Sequence, residues 1–190
     1  NASRMLLFNI HTLKWDDELL KLFEIPETML PEITDNSKIL GYIDPNFFFN
    51  ESVPIASIIG DQQASLFGQS CFEKGAIKNT YGTGGFLLMN TKEEIVDLKD
   101  GLLTTVGWCI GEEVTYALEG SIFTSGSLLQ WLRDSLHLFK DVNDTEKIAA
   151  SVPSSQGVII VPAFVGMGAP YWKKEARGMI FNLKRDTDYR

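Results

Sequence analysis

Four runs rich in apolar or β-branched residues, at 76–81, 86–90, 102–108 and 114–118, succeed one another with turns but no helical period between them. Such a succession predicts a contiguous β region. The pattern ahead of it is different. Pro54-Ile55-Ala56-Ser57-Ile58-Ile59 reads as a buried strand ending at Gly60, and 61–72 reads as a helix. The change of pattern at 68–75 marks a candidate domain boundary, dividing the chain into 1–68 and 69–190. Elsewhere, Trp15, Leu19, Leu22 and Phe23 recur at helical spacing behind an acidic first turn, Asp16-Asp17-Glu18, which suits the positive end of a helix dipole. A short strand is expected at 39–43, helices at 121–138 and 144–150, and buried strands at 158–161 and 179–181. Mixed helix and strand content of this kind points to an α/β protein.

A chain of 190 residues can build one domain or parts of two. Its net charge of −8 argues against nucleic acid or anionic membrane as a partner, because both attract excess Lys and Arg. No apolar run approaches the ~18 residues a membrane helix needs, so an integral membrane segment is not expected; a cytoplasmic location is expected because unpaired cysteines fit a reducing compartment. Cys71 and Cys109 lie far apart and form no CxxC, so they are expected to be buried free thiols, and no metal site is read from the sequence. The chain opens on Asn1 without an initiator Met and is expected to be a piece of a longer protein.

Two segments carry candidate chemistry. Asp61 stands between the strand ending at Gly60 and the following helix, where a carboxylate serves either as a helix cap or as a general base. Gly82-Thr83-Gly84 stands between two apolar runs, either as a hairpin turn using the positive φ that glycine allows or as a phosphate cradle of backbone N–H groups and a hydroxyl. A base and a cradle in one chain suggest phosphoryl transfer to a hydroxyl. Other chemistries lack their patterns. Position 87 is Leu, so no G-x-G-x-x-G follows Gly82, and Ser121, Ser125 and Ser127 are not framed as a hydrolase nucleophile. His11 and His137 fall in no catalytic motif and are taken as structural or surface residues.

Asn1-Ala2-Ser3-Arg4, Gly60-Asp61-Gln62-Gln63-Ala64, Lys78-Asn79-Thr80-Tyr81-Gly82-Thr83-Gly84, Gly101-Leu102-Leu103-Thr104-Thr105, Tyr116-Ala117-Leu118-Glu119-Gly120, Gln130-Trp131-Leu132-Arg133-Asp134 and Gly168-Ala169-Pro170-Tyr171-Trp172 occur in this order. Together they resemble the central portion of the FGGY carbohydrate kinases, and within that family the members acting on glycerol. The resemblance covers essentially the whole chain. It implies an actin-like, ribonuclease-H-like fold, with 1–68 the tail of the first domain and 69–190 the opening part of the second. It implies ATP and glycerol as substrates, with Mg2+ held by residues outside this chain, and a homo-oligomeric enzyme. Asp61 then matches the catalytic base, Gln62 a residue holding the polyol, and Phe86 an aromatic covering its carbon face. Gly82 and Thr83 match positions at the terminal phosphates, with Gly84 also allowing close approach, while Gly126 and Gln130 match positions lining the nucleotide site.

Departures from the family pattern also carry information. Phe47 stands where many Gram-positive members have a histidine phosphorylated by a phosphocarrier protein, and Ser52 where other bacterial members have an arginine used by an inhibitory sugar bisphosphate. Lys173 replaces an acidic residue, and Asn182 and Asp186 replace glycines, which puts the local turns there in question. The alternatives are a family member acting on a pentulose or hexulose, and a non-catalytic fragment or scaffold. The first-domain phosphate hairpin, the metal-positioning acid and further polyol contacts of the family all precede Asn1, so the isolated chain is expected to be inactive.

Overall fold

The computed structural model describes residues 1–97 and 101–190. These fall into two compact units, one made of Asn1–Lys78, 88–97 and Leu103–Glu119, the other of Asn79–Leu87, 101–102 and Gly120–Arg190.

The first unit opens with a small antiparallel hairpin, β1 (Phe8–Asn9) and β2 (Lys14–Trp15), in which Phe8 faces Trp15 and their rings meet edge to face at 6.0 Å. Helix α1 (Asp17–Leu22) begins where Asp16 caps it, its carboxylate accepting from the N–H groups of Glu18 and Leu19. Strands β3 (Ser37–Tyr42) and β4 (Pro54–Ser57) form a second antiparallel pair, joined by a loop carrying the exposed Phe47 and Phe49. The strand expected to be buried before Gly60 is therefore shorter than its apolar run, and its four residues are exposed. A two-stranded ribbon has no layer of its own to cover it.

Helix α2 (Asp61–Gly68) stops four residues earlier than its sequence pattern suggests, because the chain closes it with a left-handed turn. Ser70 adopts φ 57°, its N–H returns to the carbonyl of Phe67, and the N–H of Cys71 returns to that of Leu66. This is the paired capping arrangement that ends many helices, with the apolar contact that accompanies it: Leu66 and Cys71 enter one core. Leu88, Trp108 and Ala117 complete that core, and Ile59 and Ala76 pack against it. Phe67 and Phe72 meet the Trp108 ring edge to face at 5.2 and 6.3 Å.

The predicted β region is a four-stranded sheet of β5 (Ile77–Tyr81), β6 (Gly85–Lys92), β7 (Leu103–Ile110) and β8 (Glu113–Ile122), in the order β5-β6-β8-β7, and its strands supply residues to both units. Strands β7 and β8 are antiparallel, with a register shift at Gly107. A Cβ at Gly107 would lie 3.1 Å from the Thr115 carbonyl oxygen.

In the second unit, α3 (Gly126–Asp134) is half the length predicted for 121–138. Ser121 and Ile122 are claimed by β8, and at the other end the Leu138 N–H returns to the Leu132 carbonyl across His137 at φ 55°. Helix α4 (Thr145–Ala150) follows, then an antiparallel pair of β9 (Ile159–Val161) and β10 (Met179–Phe181). Neither of these strands is buried, contrary to the reading of 158–161 and 179–181. Trp131 packs its ring on Phe164 at 4.7 Å. Asn182, in place of a glycine, holds φ 61° and donates to the Gly157 carbonyl, a left-handed conformation that Asn tolerates better than most residues. Asp186 sits in a turn closed by Thr187 N–H on the Lys184 carbonyl. No helix among the described residues is long and apolar enough to cross a membrane.

Leu88 is fully buried in the first unit's core. Its replacement by alanine is expected to cost about 2–5 kcal/mol in a urea unfolding experiment; a midpoint equal to the parent's would show that the cluster is not the stabilising core.

Candidate active site

The first unit holds the candidate base and its neighbour. Gly60 precedes α2 in extended conformation, so Asp61 is the first helical residue, at the positive end of the helix. Its side chain is exposed and accepts from the Gln62 N–H at 2.7 Å. Gln62 is half-buried, and its Oε1 accepts from Nζ of Lys78 on β5. Lys78 is 4% exposed, and Glu119 at the far end of the sequence motif Tyr116–Gly120 is 1% exposed. Arg4 forks onto Glu119, with NH1 on Oε2 at 2.9 Å and NH2 on Oε1 at 3.0 Å. Burial pushes the Lys78 ammonium below its ordinary range, while Glu119 first and then Asp61 draw it back up. Asp61, Gln62, Lys78, Glu119 and Arg4 thus form one electrostatic constellation.

Lys78, Glu119 and Arg4 are the members of it that residue-by-residue reading missed. All three lie inside motifs that carry the family resemblance, but nothing in the local pattern marks Lys78. Its strand alternates in burial, and the ammonium sits at an inward position that β-propensity would assign to an apolar residue.

The second unit holds the candidate phosphate turn. None of Gly82, Gly84 and Gly85 has a positive φ, which corrects the expectation that glycine is needed there for turn geometry. Close backbone packing is the reason at Gly84. A Cβ on it would lie 2.5 Å from the Ile122 carbonyl oxygen, so the docking of the turn on β8 requires glycine there. Gly126 is explained in the same way, since its Cβ would lie 2.7 Å from the Gly82 carbonyl oxygen. A Cβ on Gly82 would make only an ordinary contact, 3.8 Å from the Gly84 carbonyl oxygen, so backbone packing does not demand glycine there.

The turn is seated on the first turn of α3 by hydrogen bonds. The Gly126 N–H donates to the Gly82 carbonyl at 2.8 Å, the Ser125 N–H to the Thr83 carbonyl at 2.8 Å, and the Ser127 hydroxyl to the same Thr83 oxygen at 2.8 Å. Gly82 and Thr83 remain exposed at the tip. Gln130, also exposed, follows Gly126 by one helical turn on the same face of α3. The structure therefore brings together Gly82, Thr83, Gly126 and Gln130, which sequence spacing alone could not connect. Phe86 lies half-buried on β6 in the same unit. The Gly168–Trp172 motif packs beside them: the Ala169 N–H donates to the Ser121 carbonyl, and Phe123 meets Trp172 edge to face.

Of the two thiols, Cys71 is buried as expected, but Cys109 is only half-buried. Partial burial and then Asp35 raise the Cys109 thiol above its ordinary range, which disfavours a reactive thiolate. Among the described residues no group of three or more His, Cys, Asp or Glu side chains is placed to hold a metal ion.

Two family models match this chain. The N-terminal domain of the FGGY family of carbohydrate kinases matches residues 1–68, and its C-terminal domain matches residues 77–189. The glycerol kinase of Staphylococcus epidermidis is 58% identical over 188 residues, and that of Stenotrophomonas maltophilia 55% identical over 187 residues. The matches take in 99% and 98% of this chain but 38% of each relative, so the chain spans little more than a third of their length. A crystal structure of Plasmodium falciparum glycerol kinase with ADP superposes with a TM-score of 0.89 at 40% identity, covering 100% of this chain and 38% of that one. A ligand-bound xylulose kinase from Lactobacillus acidophilus superposes at 0.79 with 23% identity, covering 96% and 38%. The α/β architecture is accordingly the actin-like, ribonuclease-H-like one of these sugar kinases. With both domain models matched in order along its length, the chain belongs to the FGGY family of carbohydrate kinases.

Proposed function

We propose that this chain is the central part of an ATP-dependent glycerol kinase, in which 1–68 closes the family's first domain and 69–190 opens the second. The observation that carries the choice of glycerol is identity: 55–58% to curated glycerol kinases and 40% to a solved one, against 23% to the xylulose kinase. In this reading the acceptor hydroxyl gives its proton to Asp61 as its oxygen forms a bond to the γ-phosphorus of ATP. The bond from that phosphorus to the β,γ-bridging oxygen breaks, and the products are glycerol 3-phosphate and ADP.

Each role fits what its residue offers. Asp61 is an exposed carboxylate at a helix start, accessible to a polyol. Gln62 supplies amide hydrogen bonds to the polyol, and Phe86 an apolar face for its carbons. The exposed Gly82, which carries no side chain, and the exposed Thr83 suit the close approach of terminal phosphates, and Gly126 and Gln130 extend the same surface along α3 toward the rest of the nucleotide. Mg2+ would accompany the ATP, but the described residues offer no ligand cluster for it, so no residue here is assigned to the metal. A homo-oligomeric, cytoplasmic enzyme belongs to the same reading. With the partners for the first-domain phosphate contacts expected outside it, the isolated chain should not turn over.

The test is made on the intact protein containing this chain. Asp61→Asn keeps the shape and removes the proton acceptor, so the rate at saturating ATP and glycerol should fall by ~10²–10⁴ while glycerol still binds. Parent-like turnover would remove Asp61 from the mechanism, and preference for a ketose in a substrate panel would replace glycerol as the acceptor. A second variant, Gly126→Ala, forces a methyl group against the Gly82 carbonyl and displaces the phosphate turn. KM for ATP should rise on the order of tenfold, well beyond any change in KM for glycerol, as expected when a binding group moves by a fraction of an ångström. Equal effects on both substrates would assign the turn to folding.

A further inference from the structure

We propose that Lys78 is a positioning residue that orients the Gln62 amide as a hydrogen-bond donor toward the acceptor substrate. The inference rests on the reading of Gln62 as a polyol contact given above. A primary amide turned by half a revolution exchanges its oxygen and nitrogen at little steric cost, so a glutamine beside a substrate is not polarised by its own shape. Lys78 removes that ambiguity. An ammonium has donors only, and its Nζ is directed at Gln62 Oε1, which holds the carbonyl end of the amide inward.

The amide NH2 is then the end presented away from Lys78. It suits a hydroxyl oxygen offering a lone pair, while Asp61, the preceding residue, suits the hydroxyl's proton. One neighbour accepts and the next donates, which is the polarity a hydroxyl about to be deprotonated requires.

The ammonium is itself held in place. Lys78 is nearly inaccessible, and the attraction of Glu119 and then Asp61 offsets part of the cost of burying its charge. Glu119 is in turn fixed by the Arg4 fork. The orientation of Gln62 is thereby anchored through a chain of charged groups that ends on a residue 115 positions away in sequence from its partner.

The experiment uses the intact kinase with Lys78→Met, Gln62→Ala, the double variant and Lys78→Arg, measuring kcat and KM for both substrates. Lys78→Met should raise KM for glycerol about 5–20-fold, the range of one oriented hydrogen bond, with KM for ATP changed by no more than about twofold. In the Gln62→Ala background the same Lys78→Met change should move KM for glycerol by no more than about twofold, because the residue it acts through is gone. Lys78→Arg, also a pure donor, should recover part of the loss. Additive effects of the two single changes overturn the proposal.

If Lys78→Met fails to fold once Glu119 has lost the nearby ammonium, Gln62→Glu carries the test. Its carboxylate keeps an acceptor for Lys78 but has no N–H, so the protein should remain folded and KM for glycerol should still rise at least about fivefold. An unchanged KM overturns the donor assignment. A parent enzyme that phosphorylates a ketose and not glycerol defeats the glycerol reading instead, and the same double-variant comparison on that sugar then supports or overturns Lys78. A parent with no kinase activity defeats both.

Discussion

A carboxylate taken almost wholly out of water is the constraint around which the first unit is arranged. Glu119 is 1% exposed, and a bare buried charge of that kind costs several kcal/mol unless it is paired and hydrogen-bonded. Two cations from distant parts of the chain meet the requirement. Arg4, beside the first short turn, supplies a bidentate fork, and Lys78, on β5, supplies a second positive charge. Because Lys78 also donates to Gln62, the charge pairing that makes Glu119 tolerable reaches the candidate catalytic carboxylate's neighbour. Stability and site geometry in this unit are therefore not separable: a change at Arg4 or Glu119 touches neither substrate in the proposed reading, yet alters what holds Gln62.

The second unit relies on a different device, the close approach of backbone to backbone. Gly84 against Ile122, Gly126 against Gly82 and Gly168 against Ser121 are positions where a single Cβ would fall 2.5, 2.7 and 2.2 Å from a carbonyl oxygen. Close packing lets the turn carbonyls be satisfied by N–H groups at the start of α3, groups that would otherwise lack an intrahelical partner. It also sets the turn so that its tip, Gly82-Thr83, is exposed. Within Gly82-Thr83-Gly84 the close approach to β8 demands glycine at 84, while packing makes no such demand at 82.

Apolar residues tell the opposite story in the peripheral hairpins. The residues of β4 and β10 are exposed although their sequence reads as buried strand, and the loop between β3 and β4 carries the exposed Phe47 and Phe49. Each hairpin is a two-stranded ribbon, and an apolar run alone says that a segment prefers burial without saying what will cover it.

Local pattern was enough to place most elements. The four strands from Ile77 to Ile122, the existence of α1, α2, α3 and α4, and the positions of Asp61 and of the Gly-Thr-Gly turn at their element ends all follow from periodicity, capping residues and turn chemistry, which act over a few residues. Helix ends did not follow, because α2 is stopped by Ser70 turning left-handed so that Cys71 can enter the core, and α3 is shortened by β8 claiming Ser121 and Ile122. The partners of the site residues did not follow either. That Gly126 seats Gly82, that Lys78 donates to Gln62 and that Arg4 pairs with Glu119 depends on contacts between residues up to 115 positions apart, and a separation of that length is set by how the sheet and helices pack rather than by anything adjacent in the chain.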